Sequence, residues 1–136
     1  MSYINLAVTL SNLAGIMPIM KARYQPYKLV GVTITVLSSI MMHISETKHG
    51  LPGLCLSRYS NQLLWLDRIT AYTSVGYAMV NIYINPELVT NMLLTKAIIG
   101  VSCNIMSEMM GNKQIPFMIL HSIWHILAYS CLSDIL

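Results

Sequence analysis

The stretch IPFMILHSIWHILAYSCLSDIL, residues 115–136, is long and apolar enough to form a helix that crosses a membrane. It carries two histidines, His121 and His125, in its first half. An ionisable side chain in a membrane-length helix is energetically costly, and it usually faces a partner, a cavity or a metal ion. A spacing of four residues places both imidazoles on one helix face, one turn apart. The pattern therefore predicts that both rings can reach one metal ion through their nitrogens.

The composition of the whole chain agrees with a membrane location. Its 136 residues are 55% hydrophobic and 10% charged, which is too few charges to coat a soluble globular protein. The net charge of +3 comes from basic residues scattered along the chain, so no nucleic-acid partner is expected. The three cysteines form no Cys-x-x-Cys pair, which argues against a disulfide framework or a thiolate zinc site. We expect an integral, multi-pass membrane protein, in an organelle that the sequence leaves open.

Five apolar segments, each near the length that a membrane-spanning helix needs, follow one another along the chain. Basic residues, prolines and glycines lie between them and mark turns. The predicted segments run over 4–20, 29–44, 63–84, 88–106 and 115–136. The first contains polar residues at helical spacing, so we expect a retained helix and not a cleaved signal peptide. The predicted fold class is therefore all-α, a polytopic membrane helix bundle with about five transmembrane helices, in one domain over 1–136.

Alternating crossings bring four ionisable side chains to the same membrane leaflet. His43 lies near the end of the second segment, and Asp67 lies near the start of the third. His121 and His125 lie in the first half of the fifth segment, which begins on the same side of the membrane. We therefore expect these four residues to share a site.

Polar residues on the middle three segments recur at helical spacing, so each stripe is expected to point into the bundle. The stripes consist of Ser39, His43 and Glu46; of Asp67, Thr70, Ser74 and Asn81; and of Asn91, Thr95 and Ser102. The serine, threonine and asparagine positions are typical of hydrogen bonds between membrane helices. For the histidines, three interpretations remain open, namely metal ligation, structural hydrogen bonding and haem ligation. Glu46 is a candidate to orient the His43 ring from outside a metal site.

The order Ser39-x3-His43, then Asp67 at the head of the next helix, then His121-x3-His125 resembles the CREST superfamily of membrane hydrolases. That superfamily includes alkaline ceramidases, adiponectin/progestin-receptor-like proteins and a myomaker-like branch, which the HSxWH form resembles most. The resemblance implies a zinc ion held by His43, His121 and His125, with Ser39 and Asp67 beside it. Family members normally have seven membrane helices, so a chain with five would be a shortened form that lacks part of the wall of the lipid pocket.

The resemblance also implies a reaction. In a hydrolase, Asp67 would act as general base towards water, and Ser39 would hold that water or donate to the developing oxyanion. A site inside the bilayer favours a membrane lipid as partner, with a lipid amide or ester as the bond that is cleaved.

Two other functions stay open. The first is a non-catalytic protein that uses the same zinc-braced scaffold in assembly or fusion, and the second is a bis-histidine haem protein. Self-association into a homo-oligomer also stays open. An opening lined by Ser39 and Asp67 would favour the enzyme, whereas a sealed site would favour the brace, and haem would need a wide gap between two histidines on opposing helices.

Overall fold

The protein is a bundle of antiparallel helices. A computed structural model describes residues 3–136, and over these residues the chain forms helices and loops but no strand. The helices are α1 (Tyr3–Ser11), α2 (Ile16–Ala22), α3 (Pro26–Ser45), α4 (Ser60–Ile84), α5 (Asn91–Met109) and α6 (Gln114–Ile135). A 3₁₀ turn (Asn12–Gly15) joins α1 to α2, so these two form one segment of membrane length.

The predicted all-α membrane helix bundle is confirmed. Four segments are long and apolar enough to cross a membrane, namely Tyr3–Ala22, Pro26–Ser45, Asn91–Met109 and Gln114–Ile135. The remaining helix, α4, is longer, at 25 residues, and more polar. Its length exceeds the roughly 20 residues that a bilayer requires. Every segment begins and ends within about three residues of the predicted position.

The 3₁₀ turn lets the first segment pack closely on α3. Gly15 lies against Val36, and a Cβ atom added at Gly15 would come within 2.4 Å of a Val36 methyl. Pro18 is buried one turn later and has no N–H to donate to the carbonyl of Ala14, which suits a local departure from α-helical bonding. The absence of a Cβ atom at Gly15 and the 3₁₀ turn together let this segment lie between α3 and α6.

Two helices, α3 and α6, organise the bundle. The first segment packs against both of them, α4 packs mainly on α3, and α5 packs on α6. We call the end of the bundle where α3 ends and α6 begins the histidine end. One apolar cluster near that end contains Val8, Leu51 and Phe117. A second cluster, farther from it, contains Val36 and Tyr129, so the histidines of α6 lie between two apolar layers.

The polar stripe predicted on α4 does face the bundle. Its hydroxyls pair with those of α3, because Thr70 lies 2.7 Å from Ser38 and Ser74 lies 2.9 Å from Thr35. Farther along, the amide of Asn81 donates to the Ile135 carbonyl at 2.6 Å. The α3–α4 seam is therefore held by a short ladder of hydroxyl pairs, which we call the hydroxyl ladder.

The prediction that the polar stripe of α5 points into the bundle was wrong. Its members are exposed, namely Asn91, Thr95 and Ser102. The face that contacts α6 carries Leu93, Gly100 and Ser107, all buried. A Cβ atom at Gly100 would lie 3.3 Å from the Leu127 Cβ atom, so glycine permits α5 and α6 to approach closely. This close packing, and not the polar pattern, decides which face of α5 points into the bundle. An exposed threonine is tolerated here because its hydroxyl can bond to a carbonyl of its own helix.

Loops cover the histidine end. Lys48 lies 3.6 Å from the carboxylate of Glu108 at the end of α5, and the Gln114 amide donates to the Gly50 carbonyl at 2.9 Å. His49 stacks on the buried Phe117 ring, with 4.1 Å between ring centroids. These contacts hold the segment between α3 and α4 against the first turn of α6.

Candidate metal centre

Three histidines from two helices meet inside the bundle. His43 comes from the last turn of α3, and His121 and His125 come from successive turns of α6. One ring nitrogen from each lies within 4.8 Å of the others, and the side chains are 1%, 6% and 5% exposed, respectively. Among residues 3–136 this is the one His, Cys, Asp or Glu group whose spacing suits a metal ion. The triad could hold such an ion, as the shared-leaflet argument anticipated.

Each imidazole is oriented from outside the triad through its Nδ1 atom. That atom lies 2.8 Å from Glu46 Oε2 in His43, 3.0 Å from Ser107 Oγ in His121 and 2.7 Å from Ser11 Oγ in His125. The Nε2 atoms of His43 and His125 face each other at 3.2 Å. When Nδ1 carries the proton and donates it outwards, Nε2 presents a lone pair to the centre. This is the arrangement found around metal-bound histidines.

The triad leaves no room for a haem between its rings. The ring centroids of His43, His121 and His125 are 4.8 to 4.9 Å apart, in edge-to-face contact. A porphyrin needs two histidines separated by the plane of the macrocycle, so the geometry of the triad does not support the haem interpretation.

Glu46 and Asn5 fix the end of α3 beside the triad. The Asn5 amide donates to the main-chain carbonyls of both His43 and Glu46, each at 3.0 Å. These bonds satisfy carbonyls that a helix end would otherwise leave without partners. Glu46 is 4% exposed, and this burial raises the pKa of its carboxyl to about 7. The carboxyl group is therefore held against the His43 ring by the backbone as well as by its own contact.

We expect Glu46→Ala to weaken the affinity for Zn²⁺ by about 10- to 100-fold, because the His43 ring then loses the group that orients it. Titration of the purified protein against a chelator of known affinity measures this change. Glu108→Ala is the matched control, since Glu108 lies at the same end of the bundle but is exposed and pairs with Lys48. Equal affinities in Glu46→Ala and the parent protein would contradict the orienting role.

Ser39 lies between the triad and Asp67. Its hydroxyl is 3.5 Å from the Nε2 atom of His125, one turn before His43 on α3. The side chains of Asp67 and Tyr129 lie near the same hydroxyl. Asp67 is half-buried, on the turn of α4 next to the hydroxyl ladder. The two accessory residues named from the sequence thus lie beside the histidines, and Ser39 is itself only 5% exposed.

Several polar residues around the triad were missed in the sequence. These are Ser11 and Ser107, each within hydrogen-bond distance of one imidazole of the triad, and Tyr129, whose hydroxyl donates at 2.8 Å to Asn12 of the predicted polar stripe of the first segment. Ser11 adjoins the polar stripe of the first segment, so that stripe was a usable signal. Ser107 had no such signal, because its position depends on the close packing of Gly100.

The fourth histidine of the chain, His49, belongs to the segment between α3 and α4. It lies outside the triad and is half-buried, with its Nδ1 atom facing the Gly111 carbonyl. Its role is to pack the loop onto Phe117, one turn before His121.

Comparison of the chain with protein-family models, curated proteins and solved structures found no match. The geometry of this chain alone therefore supports a metal site at the buried triad.

Proposed function

We propose that the protein is a zinc-dependent membrane hydrolase that cleaves an amide or ester bond of a membrane lipid. The proposal rests on the number of candidate ligands and on the polar residues that lie beside them. Structural zinc sites normally have four protein ligands, whereas catalytic sites have three and keep one position open. Across residues 3–136 the cluster offers three histidines, with Ser39 and Asp67 beside them. The resemblance to the CREST superfamily supports the same assignment.

Each residue has a role in this proposal. His43, His121 and His125 would hold the ion as neutral imidazoles, with Nδ1 protons directed to oxygens outside the triad. A zinc ion held in this way would lower the pKa of a bound water to about 7 and polarise a carbonyl group. The Asp67 carboxylate would accept the proton that the attacking water loses and return it to the leaving amine or alkoxide as the amide or ester bond breaks. The Ser39 hydroxyl donates to the carbonyl oxygen as negative charge develops on it.

The depth of the triad supports a lipid substrate. His43 lies two residues before the end of α3, about 3 Å along the helix axis at 1.5 Å of rise per residue, and the other two imidazoles meet it there. Headgroups give way to acyl chains at this depth, which is where the ester or amide bonds of membrane lipids lie. A lipid in the same leaflet would therefore present its scissile bond at the level of Ser39 and Asp67.

Burial of the triad favours a second candidate, a non-catalytic zinc brace. The three imidazoles are at most 6% exposed and lie between two apolar clusters. A zinc ion there would tie α3 to α6 without needing a substrate. The resemblance to the myomaker-like branch supports a role of such a scaffold in membrane assembly or fusion.

Metal content and turnover of the purified protein separate the two candidates. We expect about one zinc per chain, and hydrolysis of a ceramide amide or a phospholipid ester that a chelator abolishes and added Zn²⁺ restores. Stoichiometric zinc without turnover on either lipid class would replace the hydrolase with the brace. Protein that neither retains nor rebinds zinc would refute both.

A further inference from the structure

Two serines from neighbouring helices face the α6 histidines of the triad. Ser11 is the last residue of α1, and its Oγ atom lies 2.7 Å from the Nδ1 atom of His125. Ser107 belongs to α5, and its Oγ atom lies 3.0 Å from the Nδ1 atom of His121. These distances alone do not say which group donates, because a hydroxyl and a neutral imidazole can each donate or accept. The answer decides which ring nitrogen keeps a lone pair for a metal ion.

A second contact of each serine fixes the position of its hydroxyl proton. The Ser11 Oγ atom lies 2.6 Å from the carbonyl oxygen of Val8. The Ser107 Oγ atom lies 2.7 Å from the carbonyl oxygen of Asn104. Two oxygens approach this closely when a proton lies between them, and a carbonyl has no proton to give. Each serine therefore donates to the carbonyl three residues earlier in its own helix.

Each serine oxygen can then only accept a hydrogen bond from its imidazole, because a hydroxyl has a single proton. The proton in both contacts must come from Nδ1, so Nε2 is the nitrogen that keeps the lone pair in the neutral rings. The Val8 carbonyl, which also can only accept, lies near the His125 ring and favours the same tautomer. In His125 the lone pair points to the Nε2 atom of His43, 3.2 Å away.

We propose that Ser11 and Ser107 are positioning residues that fix the tautomers of His125 and His121, so that both rings offer Nε2 lone pairs before a metal ion binds. Burial enforces this choice. Ser107 is 0% exposed and the two imidazoles are at most 6% exposed, so an Nδ1 proton depends on these acceptors and not on bulk water. The proposal rests on the metal centre of the proposed function, but it does not depend on hydrolysis.

Nitrogen NMR of the metal-free full chain with isotope-labelled histidine tests the assignment, because the chemical shift of a ring nitrogen reports whether it carries the proton. We expect Nδ1 protons on His121 and His125 in the parent protein. Ser107→Ala should move the His121 proton to Nε2, where the lone pairs of the other two imidazoles can accept it. Ser11→Ala should have a smaller effect on His125, because the Val8 carbonyl remains beside that ring.

Ser45→Ala is the matched control. Ser45 is also 0% exposed and donates to the carbonyl three residues earlier, that of Met42, at 2.8 Å, but it is hydrogen-bonded to no imidazole within residues 3–136. Ser107→Ala should weaken the affinity for Zn²⁺ by about 10- to 100-fold, and Ser45→Ala should preserve both the affinity and the tautomers. An Nε2 proton on either α6 histidine of the parent protein, or an unchanged His121 spectrum in Ser107→Ala, would overturn the proposal. Because the spectra need no metal, they stay decisive even if the protein binds no zinc and the proposed function fails.

Discussion

Replacement of His121 by alanine is expected to reduce the zinc content from about one per chain to near zero and to destabilise the bundle. Two nitrogen ligands remain, and Ser107 loses the imidazole to which it bonds. A ligand present at 1,000 times its dissociation constant stabilises the folded state by about 4 kcal/mol, and that contribution disappears with the metal. Elemental analysis and thermal unfolding with and without added Zn²⁺ measure both effects.

His49→Ala is the control for this variant. His49 stacks on Phe117 of the apolar layer next to the triad but lies outside the triad, so its loss should leave the zinc content intact. Retention of stoichiometric zinc in His121→Ala, or loss of zinc in His49→Ala alone, would show that the ion is held elsewhere.

Asp67→Asn is expected to lower turnover by about 10²- to 10⁴-fold while zinc content and thermal stability stay at the parent level. Asparagine keeps the size of the side chain and its contact with Ser39 but cannot accept a proton at neutral pH. Initial rates on the lipid that the parent protein hydrolyses, measured at equal zinc loading, give the effect. The variant therefore separates proton transfer from metal binding.

The matched control is Asp134→Asn, which removes a carboxylate that pairs with Lys96 at 2.7 Å on the far side of the bundle. It should hydrolyse lipid at the parent rate. Unchanged turnover in Asp67→Asn would leave the hydrolase standing but would remove Asp67 from the role of base.

Much of the fold followed from local features of the sequence. Apolar runs of membrane length, separated by Pro26, Gly53 and Asn85, fixed the helices because both length and turn chemistry are local properties. Alternating crossings were enough to predict that His43 meets His121 and His125 at one end of the bundle, since the direction of each helix needs no knowledge of packing.

The sequence could not reveal which faces of the helices meet. Ser107 reaches His121 because Gly100 lets α5 approach α6, and the polar residues of α5 then point outwards. Ser11 reaches His125 because the turn at Gly15 brings the first segment close to its neighbours. These contacts depend on shape between distant parts of the chain, which a pattern of residue types does not encode.

The distance along the chain between the three histidines determines when they can come together as the protein is synthesised and folds. His43 and His125 are 82 residues apart, and the second and third imidazoles both belong to α6. The bundle must therefore admit α6 beside α1 and α3 before three nitrogens can surround an ion. If the triad holds a metal ion, its loading is a late step, because a chain arrested before α6 joins the bundle lacks two of the three imidazoles.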